Sequence, residues 1–360
     1  MTVIFVVPAL KASGGVREIL RLADEIAATQ HIVSIVSMWS AAHTMPNQVA
    51  VEHLSQWRPR LWAAFFQIPL LFLRFLNLVG RRARCQSGKI ECFIFTHYVT
   101  LPLSLLVPRR RRFFFVQDLE WKFIGNKIAS SILRKIILSF YRSGTIISTN
   151  DYLVVALKLH GLKPEIVAPI WADKAFYSKN EGLRDIDYVM VLRKGAHKRL
   201  DLYLDFIRAA RTVSGLRLAV ISPDDEAVEY SRDQVVICLI RPSTDQMKQL
   251  YARSKVFIHL SDHEGFGLPP LEAMGFGCVP LCRDSGGIRS YMQDDLLSRQ
   301  IVPPNEGVAE IFRRGQDLLG TPLRLDQLSH RSREVFMRGL ERSNERSAAV
   351  HAICSRASRV

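Results

Sequence analysis

The chain has 360 residues, 48% of them hydrophobic and 23% charged, with a formal net charge of +15. The length exceeds what one core comfortably organises and points to two domains, while the composition excludes wholesale disorder. Six cysteines, with no CxxC pair and no metal-ligand spacing, argue against a disulfide framework and against a zinc site.

The opening VIFVVP is a short β-branched run. It lacks the basic start, apolar core and cleavage site of a leader, so a strand is predicted and a reducing, cytoplasmic setting expected. After ALKASGG, the residues Val16, Ile19, Leu20, Ala23 and Ile26 recur at helical spacing, and HIVSIVSM follows as a second strand. Gly14 and Gly15 therefore sit between the first strand and first helix of a βαβ unit, as a simple tight turn or as a ligand-approach loop. Residues 61–79 are apolar over nearly a bilayer thickness, but Gln67, Pro69, Arg74 and Asn77 interrupt them. An interfacial or buried amphipathic helix is expected there rather than a span. From Arg58 to Arg112, eleven Arg and Lys face one acid, Glu91, which suggests a polyanionic partner surface or a solvated basic face.

Further strands are predicted at IECFIFTH, RFFFVQD and GTIIST. The prolines and lost periodicity of GLKPEIVAPIWADKAFY mark an interdomain connection. Beyond it DYVMVL, LRLAVIS, QVVICLI, KVFIHLS and CVPLCRD read as strands. RLDLYLDFIRAARTV, STDQMKQLYARS and PPLEAMGFG read as helices, and the last thirty residues as a basic helical tail. The expected fold class is α/β, with two Rossmann-like doubly wound domains facing across a cleft. They cover 1–168 and 169–330, and a tail over 331–360 packs back on the first.

The stretch SDHEGFGLPPLEAMGFGCVPLCRDSGG, residues 261–287, holds Glu264 and Glu272 in nearly uncharged surroundings. KVFIHLS delivers it to the carboxyl end of a buried strand, where open α/β sheets bind ligands. Pro269 and Pro270 start a helix, which places Glu272 in its first turn and Glu264 in the loop before it. Paired carboxylates suit vicinal hydroxyls, and exposed amides suit phosphate oxygens. Together they describe a sugar nucleotide; the plain alternative is a helix-start acid and a surface loop acid.

This stretch resembles the signature of family-4 retaining glycosyltransferases of the GT-B fold, E-G-F-G-L-P-x-L-E-A-M-x-x-G-x-P. The resemblance implies that Glu264 contacts hydroxyls of the donor sugar and supports charge developing at the anomeric carbon. It implies that Glu272 binds the ribose, and that amides of Phe266, Gly267 and Leu268 meet the sugar and phosphate. In VLRKGAHKRLDLYL it implies Arg193 and Lys198 as the cations of the leaving diphosphate, with Lys194-Gly195 as a rival register. Arg199 stands where the family usually has glycine. The SGGVREIL loop, with Gly14 and Gly15, would approach the diphosphate or the reacting sugar.

Gln117 stands at the position of a family histidine, and Asp118 after it either touches the sugar or caps a turn. His97 lines the acceptor side or belongs to the core. Ser285, Gly286 and Gly287 resemble a loop beneath the nucleotide, with Arg289 replacing an acid. The implied reaction is retaining transfer from a nucleotide sugar to an acceptor hydroxyl, with no metal or cofactor. The basic and apolar runs RPRLWAAFFQIPLLFLRFL and LLVPRRRRFFF suggest a lipid-linked glycan acceptor and an anionic membrane inner face. Another GT-B enzyme, an epimerase or phosphorylase, is the alternative. A nucleic-acid partner is not expected, because zinc spacing and RNA-binding aromatics are missing.

Overall fold

A computed structural model describes residues 1–10, 14–39, 49–55, 63–85, 91–179, 182–223, 236–341 and 344–358. The chain divides into two units: Met1–Trp121, Ile128–Ile170 and Asn344–Val360 form the first, Lys122–Lys127 and Trp171–Ser343 the second.

The first unit begins with β1 (Thr2–Ala9), α1 (Gly14–Ala27), β2 (Ile32–Trp39), β3 (Ala50–His53), α2 (Ala63–Cys85), β4 (Glu91–Phe95) and β5 (Arg112–Val116). It continues with α3 (Lys127–Tyr141), β6 (Thr145–Ser148), α4 (Asp151–Lys158) and β7 (Ile166–Val167). The seven strands order as β3-β2-β1-β4-β5-β6-β7, and all six neighbour pairs are parallel. Strands covered on both faces read as continuous apolar runs, and Val3 to Val7 of β1 are accordingly 0% exposed.

The second unit runs β8 (Ile186–Val191), α5 (Leu200–Arg211), β9 (Leu218–Ser222), β10 (Val236–Ile240), α6 (Thr244–Arg253), β11 (Ser254–His259) and α7 (Leu268–Met274). β12 (Val279–Arg283), α8 (Asp295–Ser298), β13 (Ile301–Val302), α9 (Val308–Leu319) and α10 (Pro322–Glu341) complete it. Its parallel sheet orders as β10-β9-β8-β11-β12-β13. The strand order thus reverses between β1 and β4 in one unit and between β8 and β11 in the other. At such switch points the loops after the strands part and leave room for a ligand.

The chain then returns to the first unit as α11 (Asn344–Ser358), whose Ala349, Val350, Ile353 and Ala357 join the core beneath α1. Arg346 is 3% exposed and donates to Glu18 on α1 at 2.9 Å, to Glu25 at 2.5 Å and to the Pro169 carbonyl at 3.1 Å. The charged Glu18 in the middle of a buried helix face is therefore matched by a cation from the far end of the chain.

One sequence expectation holds and one changes. The apolar 61–79 stretch falls largely within α2, which packs Leu71, Phe75 and Leu78 into the core and leaves Leu70, Leu73 and Leu76 about half exposed. Arg74 donates to the Leu54 carbonyl at 2.5 Å, so this mid-helix cation serves the fold. Among the described residues no helix is long and apolar enough to cross a membrane. Secondly, the phenylalanines of RRRRFFF form β5 and are at most 2% exposed, so they cannot meet a lipid surface. Arg112 is buried with them and donates to the Val107 carbonyl and the Ser143 hydroxyl.

Candidate functional site

In the second unit the loop after β8 is shaped by two left-handed residues. Gly195 has φ +137°, and Arg199 has φ +51° immediately before α5. A side chain at φ near +50° costs about 1 kcal/mol relative to glycine. Arg199 offsets that by bonding Asp201 at 2.7–3.2 Å and Asp262 at 3.2–3.3 Å. This accounts for an arginine at a position where the resembled motif has glycine. Between the two left-handed residues a single 3-10 turn, Ala196–Lys198, carries Lys198 to Glu264, and the ammonium lies 2.8 Å from both carboxylate oxygens. Lys194, two residues before this turn, is exposed.

Glu264 is fixed at its backbone as well. Its N–H donates to the Ser285 carbonyl at 2.9 Å, and its carbonyl accepts from the Gly287 N–H at 3.0 Å. A Cβ on Gly287 would stand 2.5 Å from the Glu264 carbonyl oxygen, the Gly265 carbon and the Phe266 nitrogen, so only glycine fits. Burial acts to raise the Glu264 carboxyl. The Lys198 charge outweighs it, with help from His259 and a Ser261 hydrogen bond, and holds the group at about 2. His259, at the end of β11, is pushed down to about 4 by burial and lies with Nε2 3.8 Å from Glu264.

Gly267, at φ +86°, caps α7, and its carbonyl accepts the Tyr291 hydroxyl at 2.7 Å. The N–H groups of Phe266, Gly267 and Leu268 donate to no described residue. Pro269 and Pro270 have no N–H to offer, so the free amides at this helix start are confined to those positions. Helix α7 begins at Leu268, one residue earlier than its prolines suggest, and Glu272 is therefore its fifth residue, in the second turn rather than the first. Glu272 is 3% exposed. The Tyr291 phenol is pushed well up, first by burial and then by Cys282, Glu264 and Glu272.

Three buried polar atoms at these strand ends make no hydrogen bond among the described residues: Arg193 Nε, His259 Nε2 and Ser285 Oγ. Buried polar groups are nearly always satisfied, so water or a ligand supplies the partner of such atoms.

In the first unit, Gly14 and Gly15 open α1, and a Cβ on Gly15 would meet the Gln117 amide oxygen at 3.3 Å. Gly15 and Gln117 are thus neighbours at the carboxyl ends of β1 and β5. Asp118 accepts from the Leu119 N–H at 2.7 Å. His97 follows β4 with both ring nitrogens facing protein: Nδ1 accepts from the Val99 N–H at 3.3 Å, and Nε2 lies 3.5 Å from Glu120. Burial lowers His97 to about 4. It also holds Glu120 well above the carboxylate range, opposed by a hydrogen bond from the Tyr98 N–H and reinforced by Asp118. Sequence reasoning missed Glu120, His259 and Tyr291. His259 was legible as a lone polar residue in the apolar run KVFIHLS; Tyr291 and Glu120 gave no local signal.

The fold of two parallel-sheet Rossmann-like units is that of GT-B glycosyltransferases among solved structures. Residues 173–334, within the second unit, match the family described as Glycosyl transferases group 1. A protein of Sulfolobus islandicus filamentous virus (isolate Iceland/Hveragerdi), whose name places it among glycosyltransferases, is 51% identical over 193 residues. That match covers 44% of this chain and 57% of the relative. The GDP-mannose:cellobiosyl-diphosphopolyprenol alpha-mannosyltransferase of Komagataeibacter xylinus is 29% identical over 157 residues, 41% of this chain and 39% of that protein. The chain therefore spans less than two thirds of the length of these curated relatives. Among solved structures, Anabaena Alr3699/HepE in complex with UDP-glucose superposes with a TM-score of 0.74 at 14% identity, covering 99% of this chain and 100% of that one.

Proposed function

We propose that the protein transfers a glycosyl unit from a nucleotide sugar to an acceptor hydroxyl with retention of configuration. The observation that carries this reading is the convergence of Glu264 with Lys198 at 2.8 Å beside three buried, unsatisfied polar atoms. In the proposal Arg193 and Lys198 stabilise the leaving diphosphate electrostatically, without a metal, and Glu264 holds sugar hydroxyls. The amides of Phe266, Gly267 and Leu268 meet sugar and phosphate, and Glu272 binds the ribose. No nucleophile is assigned, so the diphosphate itself takes the acceptor proton in a front-face displacement.

The acceptor proposed is a lipid-linked glycan at the cytoplasmic face of an anionic membrane. Two observations support it. A relative's name specifies a diphosphopolyprenol acceptor. Two helices packed on one face of the first sheet also expose aliphatic ridges, Leu70, Leu73 and Leu76 on α2 and Ile128, Ile132 and Ile136 on α3. Arg109 and Arg110 are exposed between these helices in sequence. Apolar ridges with basic neighbours suit an interface of anionic headgroups and acyl chains.

The test is a transfer assay over uridine, guanosine and thymidine sugar nucleotides with polyprenyl diphosphate-linked sugars. Nucleoside diphosphate should form only when acceptor is present. Release without acceptor demand, or a trapped covalent glycosyl-enzyme, would refute the reading.

A further inference from the structure

Lys198 and Glu264 are both required by the donor site, yet in the substrate-free protein they satisfy each other. A carboxylate offers about four lone-pair directions. Lys198 occupies one on each oxygen at 2.8 Å, and the Ser261 hydroxyl bonds the same group. Both side chains are largely buried, at 20% and 14% exposure, so water does little to screen the pair. A sugar hydroxyl arriving first finds a carboxylate already engaged, and a diphosphate arriving first finds its ammonium already neutralised. Arg193 is different: its Nε is buried and makes no hydrogen bond among the described residues.

We infer that the Lys198–Glu264 ion pair is an internal competitor of the donor, which the diphosphate opens by drawing Lys198 away and so frees Glu264 for the sugar. Arg193 meets the diphosphate first. Lys198 then exchanges one anion for another, and the carboxylate is released only when a diphosphate is present to replace it. His259 Nε2, 3.8 Å from Glu264 Oε1, stays beside the carboxylate when Lys198 leaves. Among the groups acting on His259, Lys198 lowers its proton affinity and Glu264 raises it, so withdrawal of Lys198 favours the protonated imidazole. The sugar is thereby engaged after its leaving group, an order that keeps the site from activating a free saccharide.

The inference rests on the donor-site reading, and titration calorimetry of the full chain separates the two. The probes are uridine and guanosine diphosphate, then UDP-glucose and GDP-mannose. Glu264→Gln removes the competing charge without changing shape, and nucleoside diphosphate should bind about tenfold tighter than to the parent protein. The extra affinity that the sugar gives over the bare diphosphate should be lost in the same variant. Lys198→Met should weaken diphosphate binding, and the double variant Glu264→Gln/Lys198→Met should bind no tighter than Lys198→Met. Glu264→Asp, whose shorter arm parts the pair, should also tighten diphosphate binding and provides the test if Glu264→Gln does not fold. Unchanged or weaker diphosphate affinity in these Glu264 variants, with Arg193→Met still impairing binding, overturns the competition and leaves the donor site standing. No diphosphate binding by the parent, or binding indifferent to both Arg193→Met and Lys198→Met, overturns both.

Discussion

Replacing Arg346 with leucine tests whether the far C-terminal helix is a structural member of the first unit. The guanidinium and the Glu18 carboxylate are each 3% exposed and 2.9 Å apart, and Glu25 and the carbonyls of Pro169 and Glu18 also accept from the guanidinium. Breaking a buried pair by deleting one member typically costs about 3–5 kcal/mol, because the other charge stays behind uncompensated. In a unit of this size each kcal/mol lowers the melting temperature by about 2–4 °C, so a fall on the order of 10 °C is expected. The loss should also depend on pH. Burial raises Glu18 above the ordinary value of 4.5, opposed first by Arg346. A carboxyl raised by folding favours the native state while protonated, below its unfolded value, and that contribution is lost as pH rises through the folded value. Removing Arg346 removes the main opposition, so the deficit should be small near pH 5 and larger at pH 8. Glu18→Gln added to Arg346→Leu should recover most of it at pH 8. Calorimetric melts at the two pH values decide the matter: a shift below 2 °C, or one indifferent to pH and to Glu18→Gln, would refute the reasoning.

Three further outcomes follow from the geometry. Gly287→Ala must push its new Cβ away from backbone atoms 2.5 Å distant, which displaces the Glu264 loop by about an ångström; transfer should fall about a hundredfold with a stability loss of about 1–3 kcal/mol, read by parallel rate and melting measurements. Arg199→Gly should be more stable than Arg199→Ala by about 1 kcal/mol, since both lose the Asp201 and Asp262 bonds and only glycine relieves the φ of +51°; equal melting temperatures would count against strain there. The variant Ile128→Ser/Ile132→Ser/Ile136→Ser should lose about tenfold in flotation with phosphatidylglycerol vesicles while parent protein ignores phosphatidylcholine; equal recovery on both lipids would remove the membrane surface from the proposal.

What could be read from the sequence follows from where the determinants lie. The second half was legible because its candidate site is local in sequence: Glu264, the glycines and the prolines of α7 occupy one strand–loop–helix unit, and the glycines and prolines answer backbone demands visible there. The two-residue strands β7 and β13 and the four-residue β3 are too short to generate a period, and tertiary pairing alone defines them. The first half misled where amphipathicity was read as surface. Arg74 and Arg112 looked like a basic face among apolar residues, but each caps backbone carbonyls of its own fold, and the phenylalanines after Arg112 are a buried strand. The same cause hid Glu120 and Arg346, whose partners lie tens to hundreds of residues away. It also hid the interplay of Lys198 and Glu264, 66 residues apart. Each of these two residues was identifiable from its own motif; that they hold one another belongs to the folded chain alone.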